Sequence, residues 1–198
     1  MSTVAPSSPK HTPTGRRSAA IIAVGLALAL ALAAIGMRNQ AHVPGGLEGQ
    51  VAPKFTLPVI TARPRPKPIP YAVPGLHPRT RLIHFWGPSC APCLEELPAI
   101  EKLFRQGSDG GAGWEVVTIT AEDTADVREF LGRHEYGFPI LQDADGAAHE
   151  AWRVSSIPIS YVVRRDGVIH RELGGKQTYD SLAAALEAAD LAAPATGT

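Results

Sequence analysis

The stretch RLIHFWGPSCAPCLEELP, residues 81–98, decides the fold. Its opening, RLIHFWG (81–87), is almost continuously apolar. A strand wetted on one face would alternate, so this run predicts a strand buried on both faces. Gly87 and Pro88 then break it. From Ala91 a helix is predicted to about Arg105, with Leu94, Leu97, Ile100 and Phe104 on one broad side. Between strand and helix stand Cys90 and Cys93, the two cysteines of a 198-residue chain.

Working outward, GSDGGAG (107–113) reads as a turn and WEVVTIT (114–120) as a second buried strand. Thr124 is expected to cap a helix carrying Val127, Phe130, Leu131 and His134 at helical spacing. FPIL (138–141) predicts a short strand. DADG (143–146) predicts a turn before a short helix, AAHEAW. ISYVVRR (159–165) and VIHREL (168–173) flank Asp166-Gly167, a hairpin signal. A last helix begins at Thr178 with Tyr179, Leu182 and Leu186 inward. Alternating strands and helices that end in a hairpin predict an α/β domain whose mixed central sheet is flanked by helices.

The N-terminal part is built differently. Residues 1–18 are rich in Ser, Thr and Pro, carry no acid and are expected to be disordered. Ala19–Met37 has no charge, and as a helix would reach roughly 28 Å, the thickness of a hydrocarbon core. Lys10, Arg16 and Arg17 precede it and only Arg38 follows closely, so the positive-inside bias places the N-terminus in the cytoplasm and the rest outside. The expectation is a single-pass signal-anchor. A cleaved signal peptide, cut near Ala29-Leu30-Ala31, is the alternative. Residues 38–50 read as a linker, 51–192 as one domain and 193–198 as a disordered tail. VAPKFTLPVI (51–60) predicts a short strand or extended edge. Eight of the 18 prolines lie between positions 53 and 78. The 60–80 segment is therefore expected to be polyproline II or irregular loop. A net charge of zero gives no electrostatic footprint for nucleic acid.

Two cysteines at this spacing have three readings. A structural zinc site wants four ligands, and no second pair accompanies this one. A structural disulfide would close a tiny loop and constrain the unfolded chain little. A reactive dithiol fits the position best. Unpaired amides at a helix start and the positive end of the helix dipole favour a thiolate at Cys90. Cys93, about one turn on, would be shielded and placed to resolve a mixed disulfide. Pro92 falls in the first turn, where its missing N–H costs little.

HFWGPSCAPCLEELP resembles the active-site segment of the thioredoxin fold, and more closely the TlpA/ResA/CcmG-like group of membrane-anchored thiol:disulfide oxidoreductases. The likeness covers about residues 50–190. Pro98 matches the proline in the active-site helix, and Glu96 a glutamate beside the dithiol. Residues 114–134 match a central strand–helix insertion. Ile157-Pro158 resembles a cis-proline turn facing the cysteines, and Gly174 a glycine where backbones approach closely. The resemblance implies an extracytoplasmic enzyme on the periplasmic face of the cell membrane, with Cys90 and Cys93 exchanging disulfides and Glu96 moving protons. It implies no cofactor or metal beyond the dithiol. Trp86, Ser89, Ile157 and Pro158 would contact substrate. Clients would be exported proteins with paired cysteines, apocytochrome c among them, and a CcdA/DsbD-type membrane protein would supply electrons. Two positions depart from the pattern: Ser89 stands where tryptophan is usual, and Ile159 where threonine is. His84, six residues before Cys90, reads as a hydrogen-bonded core residue rather than a proton relay. The alternatives are an oxidant or isomerase on the same fold, or a copper chaperone using the dithiol with a histidine such as His170. A peroxidase would want serine or threonine at Gly87.

Overall fold

In the computed structural model, residues 46–60, 70–73, 77–108 and 113–192 are described. They belong to one unit, Gly45–Thr198. The segments 1–18 and 19–37, most of 38–50, residues 61–69 and the 193–198 tail lie outside the described residues. Among those described, no helix is long and apolar enough to cross a membrane.

The elements run β1 (Phe55–Ile60), β2 (Pro70–Val73), β3 (Thr80–Phe85), α1 (Ala91–Ser108), β4 (Trp114–Thr120), α2 (Thr124–Arg133), β5 (Ile140–Gln142), α3 (Ala147–Ala151), β6 (Ile159–Val163), β7 (Ile169–Gly174) and α4 (Tyr179–Ala192). Among the described residues, seven strands form one mixed sheet in the order β2-β1-β5-β4-β3-β6-β7. β3, β4 and β5 are parallel neighbours. The β3–β6, β6–β7, β1–β5 and β1–β2 pairs are antiparallel.

The double-faced burial expected of β3 is realised: all six of its residues are buried. Because successive side chains alternate across a sheet, Leu82, Val116, Ile140 and Val162 face one core while Ile83, Val117, Leu141 and Val163 face the other. The first core is covered by α1, α2 and α4 through Leu97, Ile100, Leu103, Val127, Phe130, Leu182 and Leu186. Leu47, Ala52, Ala148 and Trp152 close the second. Burying each such aliphatic side chain stabilises the fold by roughly 1.5–3 kcal/mol, so the central strand is pinned from both sides.

The structure differs from the sequence reading at several places. The proline-rich segment contributes a strand: β2 pairs with β1, Pro58 opposite Pro70. A proline at a strand's start, on a sheet edge, disrupts no ladder that continues beyond it. β1 is therefore an inner strand, between β2 and β5. Residues 46–50 are folded onto the domain rather than free. Leu47 is buried, and the amides of Gly49 and Ala52 donate to the carbonyls of Ile169 and Gly167. Asp123, not Thr124, caps α2, its carboxylate accepting from Ala125 N. His134 lies past that helix in extended backbone. Gly174 has open space where a Cβ would stand, so no close approach requires it. The glycine with positive φ is its neighbour Gly175, whose amide donates to the Pro158 carbonyl. The Asp166-Gly167 hairpin is present with Gly167 at φ 84°. Arg164 N donates to Val168 O and Gly167 N to Arg164 O, the three-residue loop with a left-handed glycine.

Candidate active site

The site forms where β3 ends and α1 begins, at the middle of the sheet. Cys90 and Cys93 are joined by a disulfide, with Cα atoms 5.3 Å apart. Cys90 is half-buried and Cys93 fully buried. The helix start turns an amide toward the outer sulfur: Cys93 N donates to Cys90 Sγ at 3.3 Å. This is the local arrangement that favours charge on Cys90 once the disulfide is opened.

Across from the sulfurs runs the 154–157 loop. The Ile157–Pro158 peptide is cis, and the Ile157 carbonyl oxygen lies 3.8 Å from Cys90 Sγ. Ser155 and Ser156 are exposed, and no backbone hydrogen bond ties Ser155, Ser156 or Ile157 to the rest of the described residues. The loop thus offers extended backbone next to the reactive sulfur.

Glu96 follows Cys93 by almost one helical turn and so shares its buried side of α1; it is 1% exposed. Among the described residues, no side chain hydrogen-bonds either carboxylate oxygen. Burial pushes its pKa up to about 7, against smaller opposing pulls from the Gln177 backbone amide and the Lys176 charge. Lys176 itself pairs with the exposed neighbour Glu95 at 2.5 Å, fixing the 174–177 loop over the helix start. His84 Nδ1 approaches Glu96 Oε1 to 4.0 Å and hydrogen-bonds Ser160 Oγ at 2.9 Å. Full burial drives the His84 pKa down to about 3. The imidazole is neutral at working pH, and the contact with Glu96 is not an ion pair.

Trp86 and Ser89, the remaining expected substrate contacts, part company. Trp86 is fully buried and packs edge-on to Phe130, centroids 5.4 Å apart. Its ring supports the site from below and also forms part of the wall of the groove lined by Glu122, His149 and Ile157. Ser89 is exposed and held by a residue that sequence reading missed. The Glu122 carboxylate accepts from Ser89 N at 3.2 Å and from Ser89 Oγ at 2.5 Å. Glu122 is placed by Gln142, whose amide donates to the Glu122 carbonyl while its oxygen accepts from Thr124 Oγ1. A side chain at Gly87 would run into the Glu122 carboxylate. Asp143 and His149 also went unread. They sit beside the 154–157 loop, and only the turn signal at 143–146 marked their neighbourhood.

The AhpC/TSA family matches residues 49–172. Thioredoxin-like protein YneN of Bacillus subtilis is 32% identical over 123 residues, covering 62% of this chain and 68% of YneN. Thiol-disulfide oxidoreductase ResA of Bacillus thuringiensis is 29% identical over 101 residues, 50% of this chain. The match spans 57% of that relative's length. Among solved structures, StoA from Bacillus subtilis superposes with a TM-score of 0.56 at 22% identity, covering 68% of this chain and 97% of StoA. The exposed lipoprotein thioredoxin Etrx1 from Streptococcus pneumoniae superposes with 0.58 at 20%, covering 69% and 99%. These likenesses establish the thioredoxin fold. With a Cys-x-x-Cys pair at a strand–helix junction, a cis-proline opposite it and a family match over most of the folded unit, the chain belongs to the AhpC/TSA family, in its TlpA/ResA/CcmG-like group of thioredoxin-fold proteins.

Proposed function

We propose that the protein is an extracytoplasmic thiol:disulfide oxidoreductase, anchored by residues 19–37, that reduces disulfides in exported proteins. The observation that carries this reading is a half-buried Cys90 sulfur beside the Ile157 carbonyl, with a buried Cys93 and a buried Glu96 carboxylate on the same side of α1. The client binds in extended form along Ile157 and Pro158, and Ser89 borders its path. The Cys90 thiolate attacks one client sulfur and expels the other. Cys93 then gives its proton to the Glu96 carboxylate and attacks Cys90 Sγ. The Cys90–client bond breaks, the second client sulfur leaves as a thiolate and is protonated as Glu96 releases its proton, and the two electrons of the dithiol have passed to the client. The Cys90–Cys93 disulfide is the whole redox centre, and no metal or organic cofactor takes part. A membrane protein of the CcdA/DsbD type restores the dithiol, and anchoring raises the effective concentration of such partners. Apocytochrome c, with its paired cysteines, is a fitting client.

The test is a trap. A Cys93→Ala variant of the full chain cannot resolve the mixed disulfide and is expected to accumulate client joined to Cys90. If it captures no more than a variant lacking both cysteines, dithiol exchange is not its chemistry.

A further inference from the structure

A second arrangement of titratable groups stands beside the dithiol. Asp143, in the turn after β5, has no exposure. Its carboxylate accepts from Ala148 N at 3.0 Å, His149 N at 2.8 Å and His149 Nδ1 at 2.6 Å. Burial alone would raise its pKa; these donors overcome that, the His149 ring foremost, and hold it below the ordinary carboxylate value. The two backbone amides already satisfy the start of α3, so the ring contact is additional to capping. It fixes the imidazole: Nδ1–H points at Asp143, and Nε2 on the opposite edge has no partner among the described residues. Phe85 from β3 stands edge-on to the ring, 4.9 Å between centroids, and locks its tilt.

His149 lines a groove of about 330 Å³ together with Ala121, Glu122, Ser155, Ser156 and Ile157. The same Ile157 carries the carbonyl 3.8 Å from Cys90 Sγ, and the same Glu122 holds Ser89. The groove therefore adjoins the reactive sulfur on the side where the client backbone would lie. Among the described residues that line the groove or bond the ring, the charged groups are Asp143 from the β5–α3 turn and Glu122 across the groove; β3 and the 154–157 loop contribute the uncharged Phe85 and serines.

We propose that His149 is a further catalytic residue, a general acid for the client's leaving sulfur. This rests on the oxidoreductase reading above. As Cys90 Sγ bonds to one client sulfur, the client S–S bond breaks and its electron pair leaves on the distal sulfur. The Nε2 proton of the His149 imidazolium moves to that sulfur, giving a neutral thiol and a neutral imidazole, which takes a proton back from water. Asp143 holds the ring through its Nδ1–H throughout. An alkyl thiolate is a poor leaving group and gains from this transfer; an acidic aromatic thiol leaves as a stable anion and does not.

That difference supplies the test. Reduced full-length protein is mixed in single turnover with oxidised glutathione and, separately, with 5,5′-dithiobis(2-nitrobenzoate), between pH 5.5 and 8. His149→Gln is expected to slow glutathione disulfide reduction by about tenfold or more and to leave the aromatic disulfide rate unchanged. His149→Leu, which also spares the backbone bonds to Asp143, should behave alike. The retained aromatic rate in each variant shows that its dithiol is intact. Equal loss on both substrates, or no loss on either, overturns the assignment. Should the unaltered protein reduce neither disulfide, the oxidoreductase reading itself fails.

Discussion

Replacing Glu96 by glutamine separates the cost of burying a carboxylate from every other pH effect in the molecule. The folded-state pKa of Glu96 is about 7 and its ordinary value 4.5. Between these values the folded chain still holds a proton that the unfolded chain has released. Stability therefore falls as pH rises through this window and levels off above 7. At about 1.4 kcal/mol per pH unit, the full loss is about 3 kcal/mol. The assay is urea denaturation of the oxidised protein, in which the cysteines do not titrate, at intervals from pH 4 to 8.5. Glutamine carries its own constant penalty for a buried amide, so the comparison is of slopes. The difference in unfolding free energy between wild type and Glu96→Gln should drift by about 3 kcal/mol in the variant's favour across the window. Parallel curves would refute the burial argument, because they would mean that Glu96 meets water or a partner that compensates its charge.

His84 has the opposite sign. With its folded pKa depressed from 6.5 to about 3, its contribution is present above 6.5 and is lost as pH falls toward 3. Its ring proton resonances should stay flat from pH 5 to 8 in an NMR titration; an inflection near 6.5 contradicts its burial. Leu97→Ala, at a fully buried position under the dithiol, should cost about 2–5 kcal/mol by denaturation; a change below 1 kcal/mol would mean that this core is loosely packed. Gly87→Ala drives a methyl group into the Glu122 carboxylate and should free Ser89, seen as faster exchange of its amide hydrogen with overall stability little changed. Unaltered Ser89 protection would show that Glu122 yields without letting go.

Features written into one short span were legible in advance. The two-faced strand, the break at Gly87-Pro88 and the helix start at Ala91 follow from local sterics and hydrophobic periodicity, and they placed both cysteines. The hairpin at Asp166-Gly167 was equally local, since its left-handed residue must be glycine or something close to it. Trp86 was legible as to place but not as to exposure. How deeply such a ring is buried depends on Phe130, 44 residues on, which no local pattern reports. β2 was hidden because proline content argues against strands in general, although a sheet edge tolerates it. The cap of α2 was misplaced by one residue because Asp123 and Thr124 are both able caps, and the choice was made by Gln142 claiming the threonine hydroxyl. Glu122 and the Asp143–His149 couple carry no signature beyond the turn read at 143–146. They become visible only when four separate segments converge above β3.

The clip between residues 49–52 and the β6–β7 hairpin has a practical bearing. β7 is the outer strand on its side of the sheet, and such rims invite self-association when bare. Val51 bridges Val168, and Gln50 takes the amide of Ile169, so the chain guards its own rim with the residues that arrive just before the first strand. A shortened version begun at Ala52 would discard that guard together with the Leu47 plug beneath it, and should precipitate or pair edge to edge. One begun at or before Gly45 keeps both.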